Sequence, residues 1–173
     1  MTTFIALLRA INVGGTGKLA MAELRALCEA AGLENVGTYI QSGNVVFSSR
    51  RSEAEVRTTL ERALAEKLGK PVGVHLRTRD ALAAVADRNP FPDAAPSQVL
   101  VLFLDGVAPA DAIANVAIPA REELVASGRE IFIHFPDGMG RSKLKIPFAS
   151  TSTGRNLNTV RKLVELAQSI TAG

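Results

Sequence analysis

The sequence predicts an α+β fold made of duplicated ferredoxin-like (split βαβ) halves, with antiparallel sheets carrying helices on one face. Three observations carry this expectation. Apolar segments in residues 1–88 follow the order β-α-β-β-α-β. A proline-rich stretch, residues 89–97, then interrupts all periodicity, since proline lacks the amide and restricts its predecessor. After it the pattern restarts, and residues 98–173 read as β-α-β-β-α.

Thr3–Arg9 (TFIALLR) reads as a strand apolar on both faces. A glycine loop, Ala10–Lys18, leads to a helical stripe at Met21, Leu24, Leu27/Cys28 and Ala31, which Gly32 ends. Val36–Gln41 and Asn44–Ser49 read as strands joined by a hairpin turn at Ser42-Gly43. Ser52 and Glu55 form a capping box, opening a helix with Val56, Leu60, Ala63/Leu64 and Leu68 on one face. Val72–Thr78 is the fourth strand, and a short helix near Arg79–Arg88 follows.

In the second half, Gln98–Leu104 is an apolar strand and Ala108–Val116 a weak helix. Glu122–Ala126 and Glu130–Phe135 form a hairpin around Ser127-Gly128-Arg129. Arg155–Ile170 is a strong helix, with Val160, Leu163, Val164, Ala167 and Ile170 on one face. This half lacks its last strand unless Leu144–Phe148 supplies it. Both first strands carry apolar residues at odd and even positions, whereas a sheet with one wet face alternates. The open faces therefore pack on something: on each other, or across a homodimer interface.

Composition narrows the class. The chain has 173 residues and is 47% apolar, enough for a packed interior. Val99–Leu104, the longest apolar run, is far short of the ~20 residues of a membrane helix, so no membrane association is expected. Phe4–Leu8 is too short for a signal segment. Cys28 stands alone, so no disulfide framework or CxxC site exists. The expected location is cytoplasmic. The net charge is +3, but residues 89–137 carry an acidic excess and residues 138–173 a basic one. Those two stretches face each other or expose a basic surface around Arg141, Lys143, Lys145, Arg155 and Arg161.

The first candidate site is the loop Asn12-Val-Gly-Gly-Thr-Gly-Lys18 between strand and helix. Its glycines let backbone amides converge at a helix N-terminus, which suits a phosphate or carboxylate. The P-loop pattern fails at Asn12 and Leu19. The dinucleotide pattern fits Gly15, Gly17 and Ala20, but no acid follows the next strand, which enters a hairpin instead. In a split βαβ unit the first and second strands run parallel, so the loop and the Gln41–Asn44 turn lie at one sheet edge. Arg9, Asn12, Gly14, Gly15, Lys18, Gln41, Ser42 and Asn44 form the expected anion-binding set. The alternative is structural, with Asn12 and Asn44 holding turns.

A second, weaker anion cluster comprises Arg141, Ser142, Lys143, Arg155 and Asn156. Arg141, Lys143 and Arg155 are suited to phosphate, while Thr153 or Asn156 is suited to capping the last helix. His75 and His134 cannot alone make a zinc site, and no metal or cofactor is expected. Cys28 falls on a helix stripe and reads as inert core. Phe47 alone is too little aromatic surface for base stacking. Neither cluster offers a general base or nucleophile, so no catalytic residue is named.

Several blocks resemble the bacterial domain-of-unknown-function family 1697. They are Ala6-Leu-Leu-Arg-Ala-Ile-Asn-Val-Gly-Gly15, Met21-Ala-Glu-Leu24, Thr38-Tyr-Ile-Gln-Ser-Gly-Asn-Val-Val-Phe47, Asn89-Pro-Phe91, Gly140-Arg-Ser-Lys-Leu144 and Thr153-x-Arg155-Asn156-x-x-Thr159-Val160. The resemblance implies a small cytosolic α+β protein with duplicated ferredoxin-like halves, and it implies no activity. The chain departs from the family pattern at Ala10, Gly154 and Leu157, and its Lys145–Ser152 segment is short. The leading expectation is binding of a small anionic ligand, a phosphate-containing small molecule or nucleic-acid phosphate, at the glycine loop. The alternatives are an enzyme acting on an anionic substrate between the halves, and a protein-interaction or dimerisation module.

Overall fold

The computed structural model describes residues 1–9, 19–39 and 43–172. Contacts divide the chain into two compact units, Met1–Ala83 with the chain from Lys162 on, and Ala84–Arg161. The fold is α+β, with one four-stranded antiparallel sheet in each unit.

In the first unit, β1 (Thr2–Leu8), β2 (Glu34–Tyr39), β3 (Asn44–Ser49) and β4 (Val74–Thr78) pair in the order β2-β3-β1-β4. All three pairings are antiparallel, so β1 and β2 run parallel with β3 between them. This is the split βαβ arrangement. Two helices, α1 (Met21–Ala30) and α2 (Glu53–Leu68), supply the second layer. Phe4, Ala6 and Leu8 of β1 meet Leu24 and Cys28 of α1 and Val56, Leu60 and Leu64 of α2 in one core. Phe4 and Phe47 stack within it at 5.8 Å.

Local signals explain the boundaries. Gly32, at φ 89°, follows α1 in a conformation that costs a residue with a Cβ. The Ser52 hydroxyl accepts the Glu55 N–H at 3.2 Å, and the Glu55 carboxylate accepts the Ser52 N–H at 2.8 Å. That is the capping box expected from the sequence. β2 begins two residues before the expected Val36, with an irregularity between Glu34 and Gly37 and Asn35 at φ 54°, and the expected end at Gln41 lies outside the described residues.

The other face of β1 is buried as well, as its unbroken apolar run requires: Ile5 and Leu7 are fully enclosed. His75 and Arg77 lie on this face by register, and both are buried. Helix α4 (Leu157–Ala172) reaches the same face, where the Thr3 and Thr171 hydroxyls stand 2.7 Å apart. Helix α3 (Arg79–Asp87) follows β4 directly, with the Thr78 hydroxyl accepting the Ala81 N–H.

The second unit repeats the sheet. β5 (Val99–Phe103), β6 (Glu123–Ser127), β7 (Glu130–His134) and β8 (Thr153–Asn156) pair in the order β6-β7-β5-β8, again all antiparallel. Gly128, at φ 60°, makes the β6–β7 turn. Two expectations are corrected here. The last strand is Thr153–Asn156 rather than Leu144–Phe148, and α4 starts at Leu157 rather than Arg155. Residues 153–156 pair with β5, and the Asn156 carboxamide caps the helix by accepting the Thr159 N–H at 2.9 Å.

The expected helix Ala108–Val116 is instead a run of turns. Ala112, Ala114 and Val116 donate to the carbonyls three residues back. A nine-residue helix is marginal by itself, and packing here is met by Ala108, Ala112, Ile113 and Val116 lying against the Leu102, Ile131 and Ile133 core. Residues 136–152 contribute only a short 3-10 turn, Met139–Arg141, where the first unit has α2.

Candidate functional site

The end of β1 is tied on both sides. The Leu8 N–H donates to the Gly43 carbonyl, and the Arg9 N–H to the Gly73 carbonyl, both at 2.9 Å. The C-terminal end of β1 thus shares one sheet edge with the start of β3 and the approach to β4. Arg9 is half-buried there, beside Gly73. A Cβ on Gly73 would lie 3.4 Å from the Arg9 Cβ.

Asn44 is buried at this edge and donates from Nδ2 to the Tyr39 carbonyl at 3.0 Å. Its amide braces the β2–β3 hairpin across the register Tyr39↔Asn44. Helix α1 starts beyond the loop with Ala20 at its N-cap, in extended conformation and without a side-chain cap. An alanine side chain offers no acceptor to the first-turn amides. Asn12, Gly14, Gly15, Lys18, Gln41 and Ser42 lie outside the described residues.

The second cluster is dispersed in role. Arg141 and Lys143 are exposed. The Ser142 hydroxyl donates to the Glu122 carboxylate at 2.9 Å and accepts the Leu144 N–H at 3.1 Å. Arg155 is buried in β8, where Nη1 donates to the Thr153 hydroxyl at 2.7 Å and the Gly154 carbonyl at 2.9 Å. Burial pushes its guanidinium down to about 10, so it stays charged at neutral pH. Asn156 is the α4 cap. The structure therefore places Arg155 and Asn156 in hydrogen bonds that hold β8 and α4, and leaves Arg141 and Lys143 facing solvent.

Two polar groups outside the expected set organise this unit. Glu122 accepts the Ala120 N–H at 3.0 Å besides the Ser142 hydroxyl. Its own N–H first, then the Ser142 hydroxyl and the Ala120 N–H, hold its carboxyl below the usual range, against burial and nearby Asp137. The buried Glu130 carboxylate pairs with Arg88, which also donates to the Ser127 hydroxyl at 2.9 Å. A charge inside an apolar strand such as Glu130-Ile-Phe-Ile-His134 was the available signal, because an acid there needs a partner. Arg77 follows the same logic. In Val74-His-Leu-Arg-Thr78 it shares the His75 face, and its Nη1 donates to the Leu76 carbonyl at 2.8 Å.

His134 packs against Phe91 with the rings tilted by 35° and their centroids 5.3 Å apart. Among the described residues no group of three His, Cys, Asp or Glu side chains converges to hold a metal. No described helix is long and apolar enough to cross a membrane. The Cys28 thiol is pushed up to about 12, by burial first and by Glu29 second, so it is neutral at physiological pH.

Against known proteins, no curated protein matches the chain. The fold is similar to that of the conserved bacterial protein SP0830 from Streptococcus pneumoniae, with a TM-score of 0.78 and 28% identity over 96% of this chain and 98% of that one. The family model described as "Protein of unknown function (DUF1697)" matches residues 1–132, which include the sheet edge and the loop between β1 and α1. The chain belongs to the DUF1697 family.

Proposed function

We propose that this is a cytoplasmic binding protein for a phosphate-bearing anion, either a small molecule or a nucleic acid, held at the loop between β1 and α1. The observation that carries the reading is the hydrogen-bonded edge, Leu8 to Gly43 and Arg9 to Gly73. From that edge the chain leaves β1 with a cation, Arg9, and enters α1 at an N-terminus with no side-chain cap. The intervening sequence supplies Asn12, Gly14, Gly15 and Lys18, and Gln41 and Ser42 immediately precede Gly43. Glycine amides, a helix N-terminus and point cations are the usual elements of phosphate recognition. Asn44 belongs to the frame of this site rather than to its ligand contacts, because its amide braces Tyr39.

A thermal-shift screen at low salt tests the reading with pyrophosphate, nucleotides, sugar phosphates and short single- and double-stranded oligonucleotides. A ligand at about 100 times its dissociation constant adds about 2.7 kcal/mol. For a chain of this size that raises the midpoint by about 5–10 °C. The expected result is a shift that Lys18→Ala abolishes. A flat screen, or a shift unchanged in Lys18→Ala, overturns the proposal. Small phosphates and oligonucleotides form separate arms, so the screen also identifies the source of the phosphate.

A further inference from the structure

Within the second unit a groove of about 460 Å3 lies between residues 115–119 and 143–147, lined by Asn115, Val116, Pro119, Lys143, Lys145 and Ile146 among others. Its base is apolar for a structural reason. Val116 and Ile146 pack from outside against the core of Leu102, Ile131 and Ile133, so the groove floor is the outer skin of that core. Leu144 is buried between exposed Lys143 and Lys145. Both lysines line the groove. No carboxylate lines the groove, and among the described residues neither lysine forms an ion pair.

Exposed apolar side chains continue at its rim. Ile118, between two lining residues, is 45% exposed, and Phe148, next to Pro147, is 38% exposed. Phe148 also has φ 55°, a region in which glycine or asparagine is the ordinary choice.

We infer that this groove binds a soluble amphiphilic carboxylate, an aliphatic chain carrying one acidic head, independently of the glycine-loop site. The aliphatic body covers Val116, Pro119 and Ile146, and the head pairs with Lys143 and Lys145. The charge complementarity requires an anion, and the apolar floor requires that the anion carry a hydrocarbon part. The volume lies in the ~300–1,000 Å3 range of small-molecule sites, which favours a small ligand over a peptide.

An amide NMR titration of the full chain with decanoate, kept below its micelle concentration, tests this. Decanol and inorganic phosphate serve as controls. Saturable shifts are expected at residues 115–119 and 143–147, with affinity at least tenfold weaker in Lys143→Glu/Lys145→Glu. The milder Lys143→Gln/Lys145→Gln pair, with an otherwise unshifted spectrum, separates lost binding from lost folding. The inference is overturned by decanol binding as well as decanoate, by phosphate alone producing the same shifts, or by the charge variants binding like the parent. Shifts seen only once micelles form, or an acidic peptide binding where decanoate does not, overturn it equally.

Discussion

Asn44 braces the β2–β3 hairpin: its removal takes the Nδ2 donor from the part-buried Tyr39 carbonyl. Asn44→Ala should cost about 1–3 kcal/mol in a urea melt, while any ligand found in the screen still binds. Cys28 makes a second prediction. Its thiol is pushed up to about 12 from 9.0, so between those values the folded chain holds a proton that the unfolded chain releases. Stability is fully present below about pH 9 and falls as pH rises above it. Urea melts at pH 8 and pH 10 should show this loss, and Cys28→Ala should remove its share of the difference. These two roles were differently legible. Cys28 was readable as core from its place on the Leu24 stripe. Asn44 reads from the sequence either as a ligand contact or as a turn brace, and the structure shows the bond to Tyr39 that a brace makes.

At the scale of elements, helices announced by caps and stripes are the ones that form as expected. The Ser52–Glu55 box starts α2, and Ser52→Ala should lower stability by about 0.5–2 kcal/mol. Residues 108–116 carry a comparable number of apolar residues but form turns that still deliver Ala112, Ile113 and Val116 to the core. Periodicity reports which residues face inward, and it does not distinguish a short helix from successive turns with the same inward face. β8 escaped notice for another reason. Thr153-Gly-Arg-Asn156 is polar and abuts a strong helix, so its strand character comes from pairing with β5 rather than from its own residues. Gly154 is fixed by that pairing, since a Cβ there would lie 3.1 Å from Leu100 Cδ1 and 3.2 Å from Leu102 Cδ2. Gly154→Val should destabilise the chain by about 1–3 kcal/mol through overpacking, read by the shift in its denaturation midpoint.

Across the whole molecule the repeat extends beyond strand order to chemistry. Arg77 stands opposite Ile5 on the edge strand β4, and Arg155 stands opposite Val101 on the edge strand β8. Each is buried and donates from Nη1 to the carbonyl of the residue before it. The halves diverge in their covering layer, where α1 and α2 give way to turns and the segment 136–152. Glu122 secures that segment through Ser142. Its carboxyl ionises more readily when folded, so its contribution is present above the ordinary carboxylate range, near pH 4.5, and is lost as pH falls below it. The thermal midpoint should drop between pH 5 and pH 3, and drop less steeply in Glu122→Gln.

The central claim, a phosphate-bearing anion at the loop between β1 and α1, is tested most directly by an amide NMR titration of the full chain with pyrophosphate at low salt. The account predicts saturable shifts at Arg9, Gly14, Gly15, Lys18 and the first turn of α1 from Met21, all lost in Lys18→Ala. Shifts confined to the exposed cations Arg141 and Lys143, or none at all, would contradict it.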